Sequence, residues 1–282
     1  MKNLNLFQGQ EHQPFYWNSG QPAALLVHGF PGTPAELRPL ATSLHWAGWT
    51  VHGLLLPGFG ANIDTLFERD HSEWVSAVEQ ALANLQKKHS TVLLIGYSMG
   101  AALALQAAST RSPSALVLIA PFWKLGTTWQ QIIGVLLKPF FRQIQPFKKA
   151  DFSDPQVQHG LAGFFPDVDM NAPEVQQELR NLRIPTSIFE QLHRVGQGGY
   201  QAVPKINAPT LIIQGTEDEV SRRERTRKLA SRFSAPLHYV ELSGGHDIIK
   251  PEQPTWLDVE NNVLAFAQTV QRSATGNSNE KN

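Results

Sequence analysis

Short apolar runs recur along the chain, each followed by a segment with the caps and spacing of a helix, and this alternation limits the fold more than any other feature. Ala23–Val27 is apolar at every position and ends at His28-Gly29, which suits a strand buried on both faces of a parallel sheet. Thr33-Pro34-Ala35-Glu36 then opens a helix, with Thr33 as N-cap, Pro34 at the first helical position and Glu36 placed for a capping box. Gly48 closes it. Further strands are expected over residues 50–56, 91–95, 115–119, 210–214 and 237–241, and further helices over 70–88, 99–109, 221–233 and 255–270. Strands alternating with helices predict an α/β fold built on a doubly wound, mostly parallel sheet.

The rhythm fails between residues 121 and 205, where aromatics, Pro and Gln accumulate without clear buried strands. We read this segment as an inserted, mainly helical cap. The organisation expected is thus a core in two parts, 1–120 and 206–272, with a cap or lid over 121–205 and a disordered polar tail over 273–282.

Composition narrows the function. The 282 residues carry 24 Lys and Arg against 24 Asp and Glu, so the chain lacks the broad positive field that holds nucleic acid or an anionic membrane. A small neutral substrate fits better. Without cysteine there is no disulfide framework, thiolate metal site or cysteine nucleophile, and the histidines show no paired ligand spacing. No metal or other cofactor is expected. The first residues lack the apolar run of a secretory signal, so a cytoplasmic location is expected. Residues 132–141, the most apolar stretch, are broken by Lys138 and Pro139 and fall short of the roughly 20 residues needed to span a bilayer, so no stable membrane insertion is expected. Oligomeric state has no signature in the sequence.

Gly96-Tyr97-Ser98-Met99-Gly100 matches G-x-S-x-G and lies where a buried strand turns directly into a helix, the context that gives the pattern meaning. A neutral serine is a poor nucleophile, so the reading calls for a histidine base and a carboxylate that holds its tautomer. Asp218 follows the apolar strand 210–214, at the sheet edge where parallel strands all end. Its rivals are Glu217, Asp247 and Glu241. His246 lies in the turn Gly244-Gly245-His246 after the last strand and, of ten histidines, it alone has that placement. The oxyanion donors expected are the backbone N–H groups of Met99, at a helix N-terminus, and Phe30, in the loop after the first apolar strand. His28 is expected to brace that loop through a hydrogen bond. In the cap, Trp123, Trp129 and Phe140 are candidate substrate-binding residues. The basic run from Arg222 to Lys228 reads as a solvated helix face.

The motif 25–32 (Leu-Leu-Val-His-Gly-Phe-Pro-Gly), the Ser98 elbow, the segment 209–218 and Gly244-Gly245-His246 together resemble, in order, the α/β-hydrolases of the monoacylglycerol lipase and bacterial carboxylesterase branch. The resemblance implies a serine hydrolase that cleaves carboxylic esters through an acyl-enzyme on Ser98, with a small-molecule ester as its partner. A serine-triad thioesterase or C–C bond hydrolase, and a ligand-binding member of the fold, are the alternatives. One departure is Phe59, which stands where the family often has histidine in Leu-Pro-Gly-His-Gly.

Overall fold

The computed structural model describes residues 6–124, 142–162, 165 and 168–279. Its sheet is assembled from β1 (Phe15–Trp17), β2 (Ala23–Val27), β3 (Thr50–Leu54), β4 (Val92–Tyr97), β5 (Ala115–Ile119), β8 (Thr210–Gly215) and β9 (Leu237–Leu242). The spatial order is β1-β3-β2-β4-β5-β8-β9, with only β1 antiparallel. Two short strands, β6 (Gln143–Ile144) and β7 (Ile184–Pro185), pair with each other outside this sheet.

The helices are α1 (Arg38–Trp46), α2 (His71–Gln86), α3 (Met99–Thr110), α4 (Pro155–Ala162), α5 (Pro173–Asn181), α6 (Ser187–Ala202), α7 (Arg223–Ala230) and α8 (Trp256–Asn279). They cover both faces of the sheet because the strands are apolar at successive positions. Ala23, Leu25 and Val27 pack with α2, α3 and α6, whereas Ala24 and Leu26 pack with α1 and α8. Each Leu or Ile buried in these layers contributes about 1.5–3 kcal/mol. The capping box of Asp70 and Glu73 forms at the start of α2, and Gly48 takes its left-handed turn after α1 at φ +87°.

Several expectations are corrected. The chain after Thr33 begins as a 3-10 turn, Pro34–Leu37, before α1, and Glu36 makes no capping box. Its carboxylate accepts from the Gly29 N–H instead, at 3.1 Å. Helix α6 lies inside the segment read as a cap, yet it packs on α3, with Gly199 against Ala102 and the Gln106 amide donating to the Val195 carbonyl at 3.0 Å. Parallel neighbours β5 and β8 need a crossover on one face of the sheet, and α6 ends that crossover. Its three glycines and polar stripe hid it, because glycine weakens a helix that is not packed. The last helix continues to Asn279, past the polar tail expected from 273, since no proline stops it. Strand β1 was missed because three residues are too few to show a period. Trp129 and Phe140 lie outside the described residues.

The approach of α3 to the sheet explains the elbow glycines. A side chain on Gly96 would meet the backbone of Ala101 at 2.5 Å, and one on Gly100 would run into the carbonyls of Val27 and His28. Gly100→Ala is therefore expected to destabilise the fold by about 1–3 kcal/mol, since the obstruction is backbone and not a movable side chain. Gly245→Ala, whose nearest neighbour would be an Asp247 oxygen at 3.5 Å, is expected to leave the urea midpoint close to that of the parent. Equal midpoints for the two variants would contradict this packing account.

Candidate active site

Ser98 sits between β4 and α3 at φ +53°, a left-handed conformation that costs a non-glycine residue about 1–3 kcal/mol. Hydrogen bonds hold it there. Its N–H donates to the Ile119 carbonyl at 2.9 Å, while its own carbonyl accepts from Ala101 at 3.0 Å and from Phe122 at 3.2 Å. The hydroxyl is thereby aimed away from both strand and helix, and Met99 begins α3 directly behind it.

His246, in the segment after β9, meets this hydroxyl with Nε2 at 2.8 Å from Oγ. Its Nδ1 lies 2.8 Å from Oδ2 of Asp218. An ionised carboxylate only accepts, so Nδ1 carries the proton and Nε2 is left to accept from Ser98. The sequence thus placed all three residues on elements that the structure brings together. The rival carboxylates go elsewhere: Glu217 is exposed beside Ser243, Asp247 accepts from Gln253 at 2.7 Å, and Glu241 binds Arg227 through both oxygens at 2.7 Å.

Asp218 is 4% exposed. Burial alone would raise its pKa, but the His246 contact and the donors from Ser221 and Gln214 outweigh it and hold the carboxyl below its ordinary range. Oδ1 accepts from the backbone N–H groups of Val220 and Ser221 at 2.8 and 2.7 Å, and Oδ2 also accepts from Gln214 at 3.2 Å. Gln214 is fully buried and is fixed in turn by the Thr226 hydroxyl, which donates to its carbonyl oxygen at 2.6 Å. Sequence reasoning passed over Gln214. Its signal was a lone amide closing an otherwise apolar strand. Tyr97 was passed over too: its hydroxyl donates to the His246 carbonyl at 3.1 Å and so anchors that residue from behind.

The loop 28–32 lies against the elbow, for a side chain on Gly29 would come within 3.2 Å of Ser98 Cβ. His28 braces it as expected. Its Nδ1 donates to the Gly29 carbonyl at 2.8 Å and its Nε2 accepts from the Leu56 N–H at 3.1 Å, so the ring is neutral with both nitrogens paired. Burial pushes its pKa down to about 4, against the opposing Gly29 contact. The Gly29 carbonyl belongs to the same peptide plane as the Phe30 N–H. Because the two point in opposite directions across a trans peptide, the His28 bond sets where the Phe30 N–H is aimed. Phe59 presents a ring that meets His28, Phe30 and Trp74 edge-on at centroid distances of 5.0, 5.9 and 5.7 Å. Trp123, the described member of the cap trio, is 7% exposed, stacks on Tyr200 at 4.2 Å and donates its indole N–H to the Arg225 carbonyl at 3.0 Å. Its ring and polar contacts go to α6 and α7, not to Ser98, Asp218 or His246. Among the described residues no group of three His, Cys, Asp or Glu is arranged to hold a metal ion, and no helix is long and apolar enough to cross a membrane.

Known proteins share this arrangement at the level of fold and sequence. The sequence model of a family described as serine aminopeptidase, S33, matches residues 20–250. A thermostable monoacylglycerol lipase of Bacillus sp. (strain H-257) is 28% identical over 216 residues, covering 74% of this chain and 75% of its own. A carboxylesterase of Bacillus subtilis (strain 168) is 21% identical over 214 residues, covering 75% and 78%. Among solved structures, one described with the metagenome-derived lipolytic enzymes LipS and LipT aligns at a TM-score of 0.72 and 19% identity, covering 92% of this chain and 98% of the other. At that identity the last likeness shows the fold alone, that of the α/β-hydrolases.

Glu36 supplies a pH test of these electrostatics. Burial pushes its pKa from an ordinary 4.5 up to about 7, against the lowering influence of the Gly29 N–H, His246 and Lys250. With the folded value above the unfolded one, its protonated form favours the folded state, and stability drains away as pH rises from about 4.5 through 7. Glu36→Gln is expected to match the parent near pH 4.5 and to exceed it at pH 8.5, read from urea unfolding at both values. A stability difference that did not change between the two pH values would contradict the assignment.

Proposed function

The chain belongs to the serine aminopeptidase S33 family of α/β-hydrolases, in the branch that includes monoacylglycerol lipase and carboxylesterase relatives, and from that premise we propose that it hydrolyses carboxylic esters with Ser98 as nucleophile. The observation that carries the reading is the unbroken relay from Asp218 through His246 to Ser98, with both links at 2.8 Å. Ser98 Oγ attacks the ester carbonyl carbon as its proton passes to His246 Nε2. The carbonyl oxygen becomes an oxyanion, received by the N–H groups of Phe30 and Met99, the second reinforced by the N-terminus of α3. Collapse expels the alcohol, which takes the proton from His246. Water then repeats the sequence on the acyl-enzyme and releases the acid. Asp218 holds the imidazole tautomer and balances its transient charge.

The apolar composition of 121–205 supports a medium-length acyl chain, with this segment as its pocket wall and Trp123, Trp129 and Phe140 as the candidate lining. Each methylene that such a wall buries would add roughly 0.8 kcal/mol until the pocket is full. A panel of p-nitrophenyl esters from acetyl upward, with a monoacylglycerol, a thioester and an aminoacyl arylamide alongside, tests substrate class. Esters are expected to lead the panel. The arylamide leading it would replace this reading with peptide-bond chemistry.

Ser98→Ala is expected to lower ester turnover by about 10⁴-fold or more. A fluorophosphonate is expected to add one phosphonyl group, at Ser98. Labelling at a different residue would remove Ser98 from its role. Asp218→Asn is expected to cost about 10³–10⁴-fold, because the amide can hold the wrong histidine tautomer. Glu217→Gln is expected to keep parental turnover, and the reverse pattern would transfer the acid role to Glu217.

A further inference from the structure

Glu36 is a carboxylate beside the elbow that the relay does not use. Its sequence context offered it a cheap place, the capping box of a helix start. The fold puts it instead in the hollow of the loop 28–32. One oxygen, Oε2, accepts from the Gly29 N–H at 3.1 Å. The same carboxylate fills the space a side chain at Gly32 would need, so the far end of the loop also closes on it. Thr33, which would have shared the capping box, turns its hydroxyl to the His12 ring at 2.8 Å and to the Ala35 N–H at 3.3 Å. The ionisable groups whose charge Glu36 feels or affects are Tyr97 from the end of β4, and His246 and Lys250 from the segment after β9.

We propose that Glu36 is a positioning residue for the reaction, holding the loop 28–32 through the Gly29 N–H so that the neighbouring Phe30 N–H stays aimed at the oxyanion. The inference rests on the esterase reading above and adds a residue to it. Two successive peptide groups are pinned from opposite sides. Glu36 takes the N–H of the His28–Gly29 peptide, and His28 takes the carbonyl of the Gly29–Phe30 peptide. With both held, the Phe30 N–H has no soft dihedral through which to swing. Releasing the first peptide frees φ of Gly29, and glycine has the widest range of any residue over which to use that freedom. The raised pKa of Glu36 adds support, for a carboxyl group kept where its ionisation opposes folding marks a group retained for something other than stability.

The test compares Glu36→Ala, Glu36→Asp and Glu36→Gln with the parent, using p-nitrophenyl butyrate as substrate and a trifluoromethyl ketone as mimic of the tetrahedral adduct. Loss of one oxyanion donor costs about 10²–10³-fold in kcat, and misaiming one is expected to cost about 10–100-fold in Glu36→Ala, with KM changed by less than about twofold. Ketone affinity should fall by the same factor as kcat, which a general loss of structure would not produce while KM held. Glu36→Gln keeps an oxygen that accepts from Gly29 and is expected to retain kcat within about threefold. Glu36→Asp, shorter by one methylene, withdraws that oxygen and should resemble the alanine variant; it carries the test if Glu36→Ala does not fold. Parental kcat in both shortened variants, or Glu36→Gln as slow as they are, would overturn the proposal with the esterase reading intact. A parent protein that hydrolyses no ester and takes no label at Ser98 would overturn that reading, and this inference with it.

Discussion

The first turn of α3 rests directly on the carbonyl ends of β2, and the site depends on that contact. It exists because residues 96 and 100 have no side chains to hold helix and strand apart. The chain must then turn from strand to helix within one residue, which forces Ser98 into a left-handed conformation at φ +53°. The strain is local, about 1–3 kcal/mol, and is borne by a sheet whose central strands are buried on both faces. In return the hydroxyl stands clear at the carboxyl edge of the sheet, with a helix N-terminus behind it. A relaxed turn would lay the same side chain against the helix.

Around this fixed point the polar groups are paired with one another, the buried Ser221 hydroxyl excepted. Asp218 has four donors, His246 is held at both nitrogens and at its carbonyl, and His28 is paired on both sides of its ring. An unpaired polar atom that is buried costs more than a paired one contributes, so alternative rotamers of the buried members of this set are penalised. The set is therefore organised before any substrate arrives. That is the condition under which dipoles stabilise developing charge without having to reorient. Phe59 belongs to the same scheme by apolar means, closing over His28 and Phe30.

Much of this was legible in the residues. Ala23–Val27 and the run at 115–119 announce buried parallel strands because every position is apolar, and the runs at 91–95 and 210–214 do so through unbroken apolar interiors. The elbow announces itself because G-x-S-x-G sits between such a run and a helix. Asp218 and His246 follow from the order of strands, since parallel strands deliver their loops to one edge. The place of helix α6 was not legible: its segment read as part of the cap, and only the surface of α3 shows that Gly198 and Gly199 let two helices approach closely.

The sequence by itself determined the elements, the elbow and the order of the three residues in the relay, because each is encoded in neighbours a few positions apart. Glu36 shows where that reasoning ends. Its local context specifies a capping box, and the tertiary structure overrides it by presenting the Gly29 N–H from the far side of a loop. Tyr97 is alike in this respect, for its partner His246 comes within hydrogen-bond reach only when β4 and the segment after β9 are packed, and Gln214 meets Thr226 only when α7 folds back beside β8. Most buried polar side chains take the partner that the packed fold brings to them, since going without one costs free energy in a low-dielectric interior. Sequence spacing carries the period of a helix or strand, but the choice among distant partners is made only when the sheet has closed.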